Sequence, residues 1–590
     1  MKGNYLMLKK KSVQVAIISG LVFDILALTF IQFIPNEPLV PKMTIYEYIC
    51  MLAFLSVLIW KLIVPVGKGK LDRYKLLECV MWVSIVAGIY SILTYGQTVI
   101  DSDVATASLL AKSQIDNHSL FPKTWNYANG EIWCLSINLF VLPFVVILKD
   151  QVLARLLGSA LVVLVAIISV SYVCKKINNR LHLLVIPMML VIMRGTSEMV
   201  LYQVAYTIPF ILVCIMPYLF YKACLQCEKI NMRYWILSSV FLCLICISGI
   251  RNIAEIILPL FCGECAIIYL ENRKQEHVAW NKVWYKLVKV GCSSLLPAGI
   301  ALFIYKTICM NRNVHDTKMN AVVFAKSIQE VFHNFVRMLE NIFLTFGYNG
   351  EQKVLTSGGI CNVISICVCL LFVFIIPVLQ ALKIKNEDDF FQFYFSFSIV
   401  HNSIMMIMTT FFGKTETRYV FTTVFMFVVI SSHYVVKYWI AEKNFRKYIW
   451  TGMFFLVAMI QSLCVINLSV GWTNRLKERR EISKEIQNHG LTKGYATYWN
   501  AYSNQLYSNM QITYGGTMIF NNSITLYYWL VDDSAFEQST ERTFLMLDRN
   551  EIASLDEKIM QRMLKKADEV FDVKNYTVYV FDYDICVELQ

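Results

Sequence analysis

Apolar stretches of about twenty residues recur from residue 12 to residue 470, separated by short clusters of Lys and Arg. After residue 473 they give way to shorter runs of alternating apolar and polar positions. Each long stretch can cross a hydrocarbon core about 30 Å thick as a helix. The pattern predicts spans near 12–34, 45–65, 76–99, 152–173, 181–194, 202–222, 234–250, 253–270, 286–309, 357–382, 391–412, 418–440 and 448–470, about thirteen crossings. The span at 181–194 is short and holds Pro187. The tail opens with a charged helix, "TNRLKERREISKEIQNHG", and continues through strand-like "GYATYW", "MQITYGG", "SITLYYWLV", "RTFLML" and "YTVYVFDYDI". A helical "SLDEKIMQRMLKKADEV" lies between the last two, so the tail reads as a small α/β domain.

Charge fixes the expected orientation. With a cytoplasmic amino terminus, "KLIVPVGKGKLDRYK" falls inside, as do the basic loops at 175–180, 222–233, 271–289, 383–385 and 442–447. That parity survives only if the apolar run 131–149 lies on the outer face instead of crossing. The outer loops 100–151 and 310–356 and the tail 473–590 then share the extracytoplasmic side. Composition agrees with a multi-pass plasma-membrane protein: of 590 residues, 57% are hydrophobic and 16% charged, against roughly 25% charged in soluble domains. The formal charge of +12 sits in loops between spans, which argues against a nucleic-acid partner and for membrane lipid. The first apolar run is too long for a signal peptide and reads as a permanent span. Most of the 18 cysteines fall inside apolar runs, and "CGEC" at 262–265 lacks the second pair of a zinc site.

Against this background a few polar residues stand out. Asp101 and Asp103 follow an apolar run directly, where a membrane helix meets water. Arg194, Glu198, Arg251 and Arg418 lie at the ends of other spans on the same predicted face. Each is open to a plain reading, as a polar helix end or a snorkelling anchor. Several Arg and two Asp at one depth also describe a site for an anionic, membrane-embedded substrate, because the guanidinium fork fits phosphate oxygens. Glu255, four residues after Arg251, fits an ion pair with it. Asp24 and His401 have no reading beyond an interhelical hydrogen bond.

A span leading into "IDSDVATASLLAKSQ", then "LFPKTWNYANGEIWCLSINLF", then a span ending in a basic pair, resembles the first outer loop of the C-superfamily membrane glycosyltransferases (GT-C). That superfamily includes protein O-mannosyltransferases and lipid A aminoarabinose transferases. Closer still is the likeness to a group of uncharacterised multi-spanning proteins of Gram-positive bacteria. Its shared features are the Asp-Ser-Asp start, Lys123, Trp125 and Tyr127, the "GYN" at 347–349, Arg418 with Tyr419, and "GYATYWNA" and "YYWL" in the tail. The resemblance implies a mostly α polytopic bundle. Residues 1–70 are an added helical pair, 71–472 the GT-C-like membrane domain, and 473–590 the extracytoplasmic α/β domain. It also implies an inverting transfer of sugar from a polyprenyl-phosphate donor to a cell-envelope glycan, lipid or protein acceptor. Asp101 or Asp103 is then the base, a choice the sequence leaves open. Lys123, Trp125, Tyr127, Arg194, Glu198, Arg251, Arg418 and Tyr419 bind the donor. Some relatives use a divalent metal, yet no His or Asp cluster here demands a metal or other cofactor. The acidic loop follows the third span instead of the first. A lipid-linked saccharide flippase or transporter, and a non-catalytic envelope scaffold, are the alternatives. A transporter should show paired repeats and midplane charges, and these charges gather at one face.

Overall fold

The computed structural model describes residues 73–226, 229–249, 252–272, 280–315, 324–351, 353, 356–413, 415–441, 446–557 and 564–589. The expected amino-terminal pair with Asp24 and Glu47, and also Arg251, lie outside the described residues. The membrane part comprises α1 (Arg73–Leu93), α2 (Ser102–Asp116), α3 (Ile137–Ile147), α4 (Gln151–Ile177), α5 (His182–Pro187), α6 (Thr207–Phe220), α7 (Met232–Ser248), α8 (Leu258–Asn272), α9 (Trp280–Cys309), α10 (Ile328–Thr345), α11 (Ser357–Cys369), α12 (Ile376–Lys383), α13 (Asp389–Phe412), α14 (Thr417–Tyr434) and α15 (Arg446–Asn467). The tail adds α16 (Trp472–Asn488) and α17 (Tyr498–Tyr507). Among the described residues, eight helices are long and apolar enough to cross a membrane. Shorter apolar helices stand at 137–147, 182–192 and 232–248.

α3 has 11 residues, about 16 Å at the helical rise, too short to cross. It packs on α2 and α4 and leaves Val146 and Ile147 exposed, as an interfacial helix does. After Pro187 the backbone of the short α5 widens into a π turn at Met188–Ile192, tightens at Arg194–Thr196 and widens again at Glu198–Gln203. Val204 follows at φ +61°, a conformation rare for a β-branched residue and costing on the order of 1–3 kcal/mol.

The region expected as an outer loop at 310–356 contains a helix, α10. Ser327 caps it, accepting from the Glu330 N–H at 3.2 Å. It buries Asn334, Met338 and Ile342 against the bundle and exposes Ile328, Phe332 and Val336, a two-sided pattern that a charge-based loop assignment hides.

The last span runs on into the tail. At Gly471, φ +73°, the chain turns from α15 into α16, and Arg475 donates to the carbonyls of Leu468 and Val470, left open at the end of α15. Strands β3 (Lys493–Thr497), β4 (Thr513–Phe520), β5 (Ser523–Leu526), β6 (Thr543–Asp548), β7 (Glu569–Val573) and β8 (Tyr576–Phe581) form one sheet in the order β5-β4-β3-β6-β8-β7. β3 is parallel to β4 and β6, and the other pairings are antiparallel. Two tail assignments change. "GYATYW" leaves the strand at Thr497 and begins α17 at Tyr498; Glu569 and Val570, expected as the end of a helix, open β7, which pairs with β8 as a strand. Residues 558–563 of that expected helix lie outside the described residues.

Candidate active site

Asp101 is extended and caps α2, its carboxylate accepting the Val104 N–H at 2.8 Å. Aspartate is favoured there, and Asp103 in the first turn faces the positive end of the helix dipole. The helix-end role is therefore filled, but the surroundings go further. Burial is the main cause that pushes the Asp101 carboxyl up to about 6. The Val104 hydrogen bond opposes that rise, Asp103 and Glu198 add to it, and Arg155 again opposes it. On the same turn, fully buried Ser102 donates to the Tyr498 carbonyl and accepts the Tyr502 N–H at 3.3 Å. The Tyr498 hydroxyl donates to Asp103 Oδ1 at 2.6 Å. α17 of the tail thus sits directly on the acidic turn.

Arg155, which the sequence reading passed over, is completely buried near the start of α4. Its Nε donates to the Val104 carbonyl at 2.7 Å, its Nη2 to the Gln203 carbonyl at 2.7 Å, and its Nη1 to Ser159. One guanidinium therefore ties the acidic turn to the irregular segment before Val204. A lone Arg in the run "LARLLGSALVVL" was the available signal.

Arg418 opens α14, pairs with Glu416 and lies 5.3 Å from the Tyr419 ring, within electrostatic range of Asp103. With Tyr419 it lines a small, partly open pocket, walled also by Tyr206, Phe210, Glu255 and His401. His401 meets Asn402 Oδ1 through Nδ1 at 3.2 Å. The pocket thus joins a cation, a carboxylate, an imidazole and phenol rings to apolar walls.

The other expected site residues are placed differently. Arg194 Nη2 donates to the Gly347 carbonyl at 3.1 Å, and a Cβ on Gly347, φ +81°, would stand 2.3 Å from Arg194 Nε. The glycine of "GYN" is thereby explained by close packing. Glu198 is exposed and within electrostatic range of Asp101. Lys123 is exposed, Trp125 and Tyr127 are 1% exposed, and none of the three lines the pocket. Trp125 and Tyr127 belong to a strap that joins the three extramembrane pieces. Its strand β1 (Asn126–Tyr127) pairs in parallel with β2 (Asn313–Val314), and the Asn126 N–H donates to the Val531 carbonyl at 2.8 Å. Asp533 accepts from the side chains of both Asn126 and Asn313, at 2.6 and 3.0 Å. Among the described residues, no group of three or more His, Cys, Asp or Glu is placed to hold a metal ion.

No family model matches the chain. No curated protein matches it either. Solved structures do. The chain is similar to ArnT from Cupriavidus metallidurans bound to undecaprenyl phosphate, at 8% identity and a TM-score of 0.48, over 85% of this chain and 97% of that one. It is similar to the same protein in the apo state at 8% identity and a TM-score of 0.42, over the same shares.

Proposed function

We propose that this chain is an inverting membrane glycosyltransferase that moves a sugar from a polyprenyl-phosphate donor to a cell-envelope acceptor. The observation that carries the reading is the pair of carboxylates on one helical turn, of which Asp103 lies within electrostatic range of Arg418, a residue that lines a polar pocket. Asp101 takes the role of base. Its carboxyl, pushed up to about 6, is ionised at neutral pH and closer in basicity to its task than an ordinary aspartate. The acceptor hydroxyl gives its proton to Asp101 while its oxygen attacks the anomeric carbon from the side opposite the phosphate. The bond from that carbon to the phosphate oxygen breaks, and its electron pair stays on the phosphate. Arg418, with the Tyr419 ring beneath it, balances the charge gathering there. Asp103, held by Tyr498, orients the acceptor. The pocket's Arg418, Tyr206 and Tyr419 offer polar contacts to a sugar-phosphate headgroup, and Pro209, Phe210, Val213 and Met405 supply an apolar wall for the first prenyl units.

The test is binding of a polyprenyl phosphate to the full chain in lipid nanodiscs. Arg418→Ala should weaken binding by roughly tenfold or more while the melting temperature holds, since a charge-assisted contact contributes about 1.5–3 kcal/mol. Equal affinity in the variant would return Arg418 to a snorkelling anchor.

A further inference from the structure

The transfer chemistry leaves unused a continuous run of aromatic rings beside Asp103. Tyr498, whose hydroxyl holds Asp103, has the Trp499 ring at 5.1 Å and the Tyr527 ring at 5.7 Å, both edge-on. Trp529 lies 5.7 Å beyond Tyr527 with the two planes only 8° apart. Trp499 is 61% exposed, Tyr527 and Trp529 are half-buried, and Asp103 is within electrostatic range of Tyr527. Two of these residues follow β3 and two follow β5; these strands flank β4, and their last residues, Thr497 and Leu526, both stand opposite Thr517, which brings the rings together. The run belongs to the tail domain, and none of its four residues lies in a membrane span.

We infer that these rings are the acceptor subsite and that the acceptor is a carbohydrate, an inference that rests on the glycosyltransferase reading. Tyr527 and Trp529, stacked with their planes 8° apart, offer an aromatic face at the end of the stack instead of a deep pocket. A pyranose presents one face of C–H groups that matches the negative face of an aromatic ring, and an equatorial rim of hydroxyls. Seated on this aromatic face, a sugar has its rim toward the acidic turn, where one hydroxyl can meet the carboxylates. An apolar lipid acceptor would find charged and hydroxyl groups at that end of the run. A peptide side chain would need a pocket to define it. The exposed Trp499 continues the surface beyond a single ring, as a polymer needs.

The test uses full-length protein in nanodiscs, a labelled polyprenyl-phosphate sugar, and as acceptor the protease-treated, delipidated polysaccharide fraction of the native cell envelope. Label should enter this fraction. Trp529→Ala and Tyr527→Ala should each raise the polysaccharide concentration for half-maximal transfer by roughly tenfold, with kcat falling much less, and Trp529→Phe should recover most of the loss. Size-exclusion profile and melting temperature report folding separately. Label entering untreated membranes but not the polysaccharide fraction overturns the inference in favour of a protein or lipid acceptor. So does transfer with unaltered half-saturation in both alanine variants. No consumption of donor with either acceptor overturns the glycosyltransferase reading itself, and this inference with it.

Discussion

Asp101 meets two demands with one side chain. It caps α2, a role that asparagine fills about equally well, and it sits where burial opposes its charge. The folded state raises this pKa from an unfolded value near 4 to about 6, so the folded protein binds more protons between those limits. Stability contributed by this group is therefore greatest at low pH, declines as pH rises from about 4 to about 6, and stays lower above that. Asp101→Asn should accordingly melt higher than wild type at pH 8, by an amount corresponding to at most about 3 kcal/mol, and lose that advantage near pH 4. Melting curves across that range check it; a variant less stable at pH 8 contradicts the burial argument. Tyr498→Phe removes the hydroxyl on Asp103 and should lower transfer roughly tenfold with little change in melting, a positioning effect read from acceptor half-saturation.

At the level of elements, the irregular segment between α5 and α6 is held chiefly by Arg155. Arg155→Leu leaves the Val104 and Gln203 carbonyls without their donor and should destabilise by about 2–5 kcal/mol, seen as a large drop in melting temperature. A second device, at Glu387, joins the span before it to α14 and the turns that continue α14 to Ile440. Its buried carboxylate accepts from His433 at 2.9 Å, Lys437 at 2.5 Å, Tyr438 at 2.9 Å and Gln380 at 3.1 Å. Burial alone would raise its pKa, but the bonds from His433, Lys437 and Gln380 hold it well below the carboxylate range. The stability it contributes is present above an unfolded value near 4.3 and is lost as pH falls below it. Glu387→Gln should therefore lower the melting temperature at pH 7 and at pH 5 alike, and by much less near pH 2. These elements also mark the limit of what the sequence discloses. Length and apolarity were enough to place the spans at 76–99, 152–173 and 357–382 on helices, because a bilayer demands continuous apolar turns. Asp101 and Asp103 were legible because a carboxylate beside an apolar run is rare. Arg155 and Tyr498 were not, because their meaning depends on contacts 51 and 395 residues distant in sequence. Trp125 and Tyr127 look like ligand-binding aromatics in one dimension and are strap packing in three.

Across the whole molecule, the strap, β2 and the tail meet at one end of the bundle, where the acidic turn also lies. Charge parity assigns that end to the outside. Cysteines introduced at Glu340 and Thr540 should react with an impermeant thiol reagent applied to intact cells, and one at Asn178 should not; reaction at Asn178 would reverse the face of the site. On the proposed function, a lipid-linked donor and a water-borne acceptor would meet at one pair of carboxylates. The most direct measurement is single-turnover transfer of labelled sugar from a polyprenyl-phosphate donor by the purified full chain, wild type against Asp101→Asn. Loss of a general base should slow transfer by about 10²- to 10⁴-fold, while donor affinity and folding persist. Transfer by Asp101→Asn at the wild-type rate would contradict the assignment of this carboxylate as the base.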